Sequence, residues 1–256
     1  MRIVGLDLGS REVKLAVWED DRLVRTDQYS TMSFYRDYCT WEDQVVVQLD
    51  KLGIEDFDLG ISTGYGRNNT NLLGFEAINE IKAHAYGAMH QTGDKDFILL
   101  DVGGQDVKVI RVEKGLVTDL DLNEKCAASC GRYLENMAAV LELPLDDLST
   151  YSKDPVELNA TCAVFSESEL IGKIAEGASV ASLCAGVNWS MYQRLKPMLT
   201  KFRGQKLVVS GGVAKNQAIL GYLKESYPMV EAVASPQFNG AIGCCIYGRK
   251  KGRDHV

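Results

Sequence analysis

The sequence carries the same glycine-turned hairpin twice. Ile3-Val4-Gly5-Leu6-Asp7 reads as a buried strand, and Gly9-Ser10 bends the chain into a second strand from Val13 to Trp18. Phe97-Ile98-Leu99-Leu100-Asp101 repeats the pattern, with Gly103-Gly104 leading into Val107-Lys108-Val109-Ile110. The copies align without a gap at an offset of 94 residues: Asp7 falls on Asp101, Gly9 on Gly103, Val13 on Val107 and Lys14 on Lys108. A chain of 256 residues with this repeat is expected to form two similar lobes facing one cleft, 1–94 and 95–256, with the C-terminal helix able to pack back on the first.

Between the hairpins, Leu59 to Ser62 reads as a short strand ending in Thr63-Gly64-Tyr65-Gly66-Arg67, followed by a helix around Glu80 to Met89. Strand, loop, helix is the order of an α/β protein. In the second half, Leu134, Met137, Ala138 and Leu141 recur at helical spacing, which predicts a helix from Cys126 or Ala127 to Leu143, stopped by Pro144. Ser166 and Glu169 form a capping-box pattern ahead of the apolar face Leu170, Ile171, Ile174 and Ala178, so a second helix is expected after Ser166. Lys206 to Ser210 reads as a strand, Gly211-Gly212 as a turn, Asn216 to Lys224 as a helix and Gly240 to Tyr247 as a buried helix.

The charge balance limits the partners. A net charge of -7 argues against broad attraction to nucleic acid or an anionic membrane, and Arg249, Lys250, Lys251 and Arg253 read as a solvated basic end. No apolar run reaches the roughly 18 residues of a membrane span, and the N-terminus runs into a strand pattern rather than a signal peptide. The expected location is the cytoplasm. The seven cysteines are an odd number, which does not suggest a disulfide framework, and no CxxC pair is present. Any metal site must therefore be assembled from distant segments.

A tight glycine turn between strands lets backbone N–H groups approach phosphate oxygens, and a carboxylate at the strand end can hold hydrated magnesium. One such turn usually serves only the backbone. Two copies, together with the strand-turn-helix pattern Val208-Val209-Ser210-Gly211-Gly212-Val213-Ala214-Lys215-Asn216, point to a nucleotide. In this order the motifs resemble the superfamily of sugar kinases, heat-shock chaperones and actin. The resemblance implies an α/β, actin-like (ribonuclease H-like) ATPase fold that binds ATP or ADP with Mg2+. Asp7 and Asp101 would hold the magnesium and its waters. Gly9, Ser10, Lys14, Gly103 and Gly104 would lie at the phosphates, with Gly131 also against the nucleotide. Gly211, Gly212, Val213 and Asn216 would meet the adenosine, and Gln105 would position the attacking water. Ile78-Asn79-Glu80 is similar to a connecting segment of the chaperone members, leaving Glu80 as either a magnesium-water contact or a solvated helix carboxylate.

The cysteine surroundings narrow the family. Asn123-Glu124-Lys125-Cys126-Ala127-Ala128, continuing to Gly131-Arg132-Tyr133-Leu134-Glu135, resembles the activator ATPases of 2-hydroxyacyl-CoA dehydratases and the related ATPase subunits of benzoyl-CoA reductases. So do Thr161-Cys162-Ala163-Val164-Phe165-Ser166-Glu167-Ser168-Glu169, Ser62-Thr63-Gly64-Tyr65-Gly66-Arg67 and Gly103-Gly104-Gln105-Asp106-Val107-Lys108. The resemblance implies a homodimer sharing one 4Fe-4S cluster, with Cys126 and Cys162 of each subunit as ligands. It further implies a ferredoxin or flavodoxin as electron donor and a client iron-sulfur enzyme as acceptor, reduced by one electron at the expense of ATP. Cluster chemistry agrees: a cubane takes four thiolates, two per chain about a two-fold axis, and the positive end of a helix dipole favours negative charge. Cys39, Cys184, Cys244 and Cys245 read as packing. Cys130 stands with Ser129 where family members carry Gly-Thr; it could touch the cluster edge, act as an accessory ligand or do neither. Two rival readings are a small-molecule kinase of the same fold and a non-redox, ATP-regulated assembly module of chaperone type. The residues fit a dehydratase, an aromatic-ring reductase or another double-cubane-cluster reductase as client.

Overall fold

The aliphatic runs on either side of Gly9-Ser10 pair as antiparallel strands β1 (Arg2–Leu8) and β2 (Glu12–Glu19), and β2 pairs again with β3 (Arg22–Ser30). The computed structural model describes residues 1–64, 72–123, 130–159 and 162–254. It comprises two compact units, Met1–Asp94 with Gln237–Val256, and Lys95–Pro236.

In the first unit, α1 (Thr31–Tyr38), β4 (Cys39–Trp41) and β5 (Val45–Val47) precede β6 (Leu59–Thr63), β7 (Phe75–Ala77) and α2 (Glu80–Thr92). The sheet order is β3-β2-β1-β6-β7, with β6 parallel to β1. Parity along β1 divides its faces. Val4, Leu6 and Leu8 enter the core shared with Phe34 and Leu52, whereas Ile3 enters the opposite core with Ala241, Cys244 and Cys245 of α8 (Asn239–Asp254). Asp7 has the parity of Ile3, so it lies on the helix-covered face. Small residues let α2 and α8 approach closely: a β-carbon on Gly243 would stand 1.8 Å from the carbonyl oxygen of Ala83.

The second unit repeats the plan. Strands β8 (Phe97–Val102), β9 (Val107–Glu113) and β10 (Leu116–Asn123) form an antiparallel meander. After α3 (Gly131–Val140), α4 (Leu145–Leu148), α5 (Ala163–Ala175) and α6 (Val180–Thr200) come β11 (Leu207–Ser210), α7 (Gln217–Ser226) and β12 (Val230–Ala232). The order β10-β9-β8-β11-β12 is that of the first sheet. The register matches as well: Asp7 pairs with Lys14 and Thr63, and Asp101 with Lys108 and Ser210. The core packs Ile98, Leu100, Val107 and Val109 against α3 and α6, and includes Cys130 at 0% exposure.

Two expectations from the sequence change. The helix after Ser166 begins at Ala163, capped by Cys162; Ser166 lies buried inside it, bonded to the Tyr133 hydroxyl at 2.9 Å, while Glu169 accepts from Asn159 N at 2.8 Å. These longer-range partners replace a capping box. The preceding helix is described over Gly131–Val140, with Cys126 and Ala127 outside the described residues; it ends before Leu143 because Glu142 turns left-handed at φ 56°. At the basic C-terminus α8 continues through Lys250, which is exposed, while two neighbours form surface ion pairs: Arg249 Nη1 lies 3.3 Å from Asp21 and Lys251 Nζ lies 2.5 Å from Glu76.

Candidate nucleotide and cysteine site

Strand β1 delivers Asp7 to the end of the first sheet, and the Gly9-Ser10 bend follows with Ser10 exposed. The Lys14 ammonium stands 3.6 Å from the point a β-carbon on Gly9 would occupy and 3.7 Å from Glu12 Oε2, so the cation overlies the bend. The second hairpin closes with Gly103 N donating to the Asp106 carbonyl at 3.0 Å. Its lysine is far more enclosed: Lys108, 3% exposed, lies 2.5 Å from Asp106 and 3.7 Å from Asp101. Ser210 donates to Asp101 Oδ1 at 2.6 Å. Gln105 projects exposed from the bend. Gly131 N and Arg132 N, opening α3, donate to the carbonyls of Gly103 and Gly104 at 2.9 Å each, so this bend is tied to the helix that follows the Cys126 segment.

Both sheets end alike beside their hairpins. Gly64 follows Thr63 at φ 100°, and Gly211 follows Ser210 at φ 81°. Their β-carbons would strike the carbonyls of Leu8 and Val102 at 2.6 Å and 2.2 Å. Left-handed backbone and close approach together require glycine at both. After Gly211, a short 3-10 turn, Gly212–Lys215, buries Val213 and leaves Gly212 exposed. The Asn216 side chain is spent inside the protein, accepting from Ile219 N at 2.9 Å and donating to Asn188 at 2.8 Å, so it holds the turn in shape.

Glu80 opens α2, whose cap Asn79 accepts from Ile81 N at 2.9 Å. One turn on, buried His84 places Nε2 3.8 Å from Glu80 Oε1. A β-carbon on Gly240 would stand 2.5 Å from Asp7 Oδ2 and 3.3 Å from His84 Nε2, so Asp7, Glu80 and His84 gather at the start of α8. Among the described residues no three His, Cys, Asp or Glu groups could hold a metal ion unaided. Carboxylates that reach magnesium through water and nucleotide phosphates do not need such a cage, so this donor set fits hydrated Mg2+.

The thiols divide by exposure. Cys162 is exposed at the N-cap of α5 and makes no side-chain capping bond; Cys39, Cys130, Cys184, Cys244 and Cys245 are buried. Burial pushes the Cys39 thiol up to about 11 and that of Cys245 to about 12, and raises Cys184 and Cys244 as well. An open thiol at a helix N-terminus suits a cluster ligand. Cys126 lies outside the described residues, as do Tyr65, Gly66 and Arg67 of the glycine motif after β6.

The sequence motifs contain Gly64 and Ser210 without assigning either a role, and they miss His84 and Asn239 altogether. The signals were the Ser/Thr-Gly pair ending both parallel strands and the i, i+4 spacing of Glu80 and His84.

The duplicated sheets are those of the actin-like α/β fold. Residues 4–248 match the BadF/BadG/BcrA/BcrD ATPase family, and the chain belongs to it. It is 33% identical over 254 residues to the (R)-2-hydroxyglutaryl-CoA dehydratase activating ATPase of Acidaminococcus fermentans, covering 97% of each chain. It is also 33% identical to the activator of lactoyl-CoA dehydratase of Anaerotignum propionicum, over 96% of this chain and 97% of that one. Among solved structures, the activator of the 2-hydroxyisocaproyl-CoA dehydratase from Clostridium difficile with bound ADPNP superposes with a TM-score of 0.85 at 28% identity, covering 100% of this chain and 98% of that one. Among the described residues, no helix is long and apolar enough to cross a membrane.

Proposed function

We propose that this protein is an ATP-dependent electron donor that reduces a client iron-sulfur enzyme by one low-potential electron. The observation that carries this reading is Cys162: an exposed thiol at the N-cap of α5, in a chain whose other described thiols are buried. Val164 and Phe165 beside it are 69% and 68% exposed, apolar surface suited to covering by a second copy or a client. In this reading two copies hold one 4Fe-4S cluster through Cys126 and Cys162 of each, and the cluster supplies one-electron chemistry at the joint. The donor is a ferredoxin or flavodoxin, and the client is a 2-hydroxyacyl-CoA dehydratase or a double-cubane-cluster reductase, in keeping with the named relatives. The protein works in the cytoplasm.

ATP binding uses both glycine hairpins. Asp7 and Asp101 orient magnesium waters with Glu80 in support, Lys14 offsets phosphate charge over the Gly9 bend, and Gln105 holds the attacking water. Gly211, Gly212 and Val213 present backbone to the adenosine, shaped by Asn216. Gly131, bonded to Gly103, passes changes at the phosphates into α3. A nucleotide shifts such a system only through different affinities for two arrangements, so ATP and ADP must differ in how they engage the bend.

The test is anaerobic electron transfer from dithionite-reduced protein to an iron-sulfur 2-hydroxyacyl-CoA dehydratase with ATP, with ADP or without nucleotide. Reduction of the acceptor only with ATP is expected. Equal reduction in all three, or transfer by a Cys126→Ala, Cys162→Ala variant, contradicts the proposal.

A further inference from the structure

His84 lies in a chain of side-chain contacts that matches one tautomer of its ring. Gln91 Nε2 donates to Asn239 Oδ1 at 2.9 Å, which turns the Asn239 amide nitrogen toward His84. That nitrogen donates to the His84 carbonyl at 3.0 Å and stands 3.4 Å from His84 Nδ1. An amide NH2 can only donate, so the second amide hydrogen matches the tautomer in which Nδ1 accepts and the ring proton is carried on Nε2. Nε2 in turn faces the carboxylates: Glu80 Oε1 is 3.8 Å away, and Asp7 Oδ2 lies across the narrow space over Gly240. At 7% exposure, His84 acts on these groups out of reach of bulk water.

The geometry points to His84 as a positioning residue for the nucleotide-bound divalent cation, its Nε2 edge turned toward Asp7 and Glu80 so that the ring dipole steers the two carboxylates toward the metal waters. Asn239 and Gln91 form the next layer, keeping the ring in that tautomer. The second hairpin reaches the same end differently, since Asp101 is held by Ser210 and Lys108. Thr63, the register counterpart of Ser210, instead donates to the Ile78 carbonyl at 3.0 Å, and His84 supplies support to Asp7 from α2. The inference rests on the proposed reading that Asp7 serves Mg2+ with a nucleotide.

The test is calorimetric binding of ADP to the full chain, with Mg2+ and with EDTA, for wild type, His84→Phe and His84→Gln. Outer-layer partners of metal ligands typically contribute 10- to 100-fold in affinity. His84→Phe is expected to lose about that factor of the Mg2+-dependent affinity while ADP binding in EDTA stays constant. His84→Gln, which keeps a donor near the Nε2 position, is expected to recover part of it. An unchanged Mg2+-dependent affinity in His84→Phe, or an equal loss in EDTA, overturns the role. A wild-type chain that binds no ADP under either condition overturns the nucleotide reading and this inference with it. Nitrogen-15 NMR of the histidine rings in the wild-type chain, assigned by the His84→Gln spectrum, decides even if His84→Phe fails to fold. A proton on Nε2 supports the role, and a proton on Nδ1 overturns it.

Discussion

Ser210 donates a 2.6 Å hydrogen bond to Asp101, whereas its counterpart Thr63 turns away from Asp7 to the Ile78 carbonyl. The duplicated sheets are thus chemically unequal at the same point. A hydrogen bond to a buried charged group contributes about 1.5–3 kcal/mol, and one between neutral partners about 1 kcal/mol. Ser210→Ala should therefore destabilise the protein by about 2 kcal/mol and Thr63→Val by about 1 kcal/mol in urea unfolding. Equal costs contradict the asymmetry.

Gly211 combines φ 81° with a β-carbon position 2.2 Å from the Val102 carbonyl. Gly211→Ala adds backbone strain to a backbone collision and should cost about 2 kcal/mol or more. An alanine variant with a wild-type urea midpoint would show that the turn is not held in this shape.

Tyr133 and Ser166 join α3 to α5 through a buried 2.9 Å bond between hydroxyls. A double-mutant cycle of Tyr133→Phe and Ser166→Ala should give a coupling of about 1 kcal/mol. Additive single effects contradict a direct bond.

His90 packs edge-on against Trp18 at 4.9 Å, and burial, with Arg249 nearby, holds its imidazole below the ordinary 6.5. The unfolded chain then binds a proton at a higher pH than the folded one. This contribution to stability is present above about 6.5 and lost as pH falls below it. Urea unfolding at a series of pH values should show that decline, with a shallower slope in His90→Phe. Identical slopes contradict it.

The paired hairpins were legible because both faces of β1 and β8 are buried, which leaves aliphatic runs ending in Asp and Gly. The third strands were not. β3, Arg-Leu-Val-Arg-Thr-Asp-Gln-Tyr-Ser, and β10, largely exposed, are edge strands without that apolar run. Helix α6 escaped for the opposite reason: Leu183 to Asn188 is buried on all sides, so no amphipathic period stands out, and Asn188 and Pro197 look like breakers. Asn188 is tolerated because it donates to the carbonyls of Leu148 and Tyr151. The residues that touch phosphate or metal in the proposed site carry motifs. Those that hold them, His84 and Asn239, depend on contacts distant in sequence and carry none, and the bond from Ser210 to Asp101 could not be read from the motif that contains it.

The central claim is that Cys162 is one of two cluster ligands supplied by each chain. Iron and acid-labile sulfide analysis of anaerobically purified protein, with electron paramagnetic resonance after dithionite reduction, tests it most directly. The account predicts about two iron atoms per chain, four per pair, with a reducible cluster signal that disappears in Cys162→Ala. Wild-type protein without iron, or a Cys162→Ala variant with full iron and an unchanged signal, would contradict it.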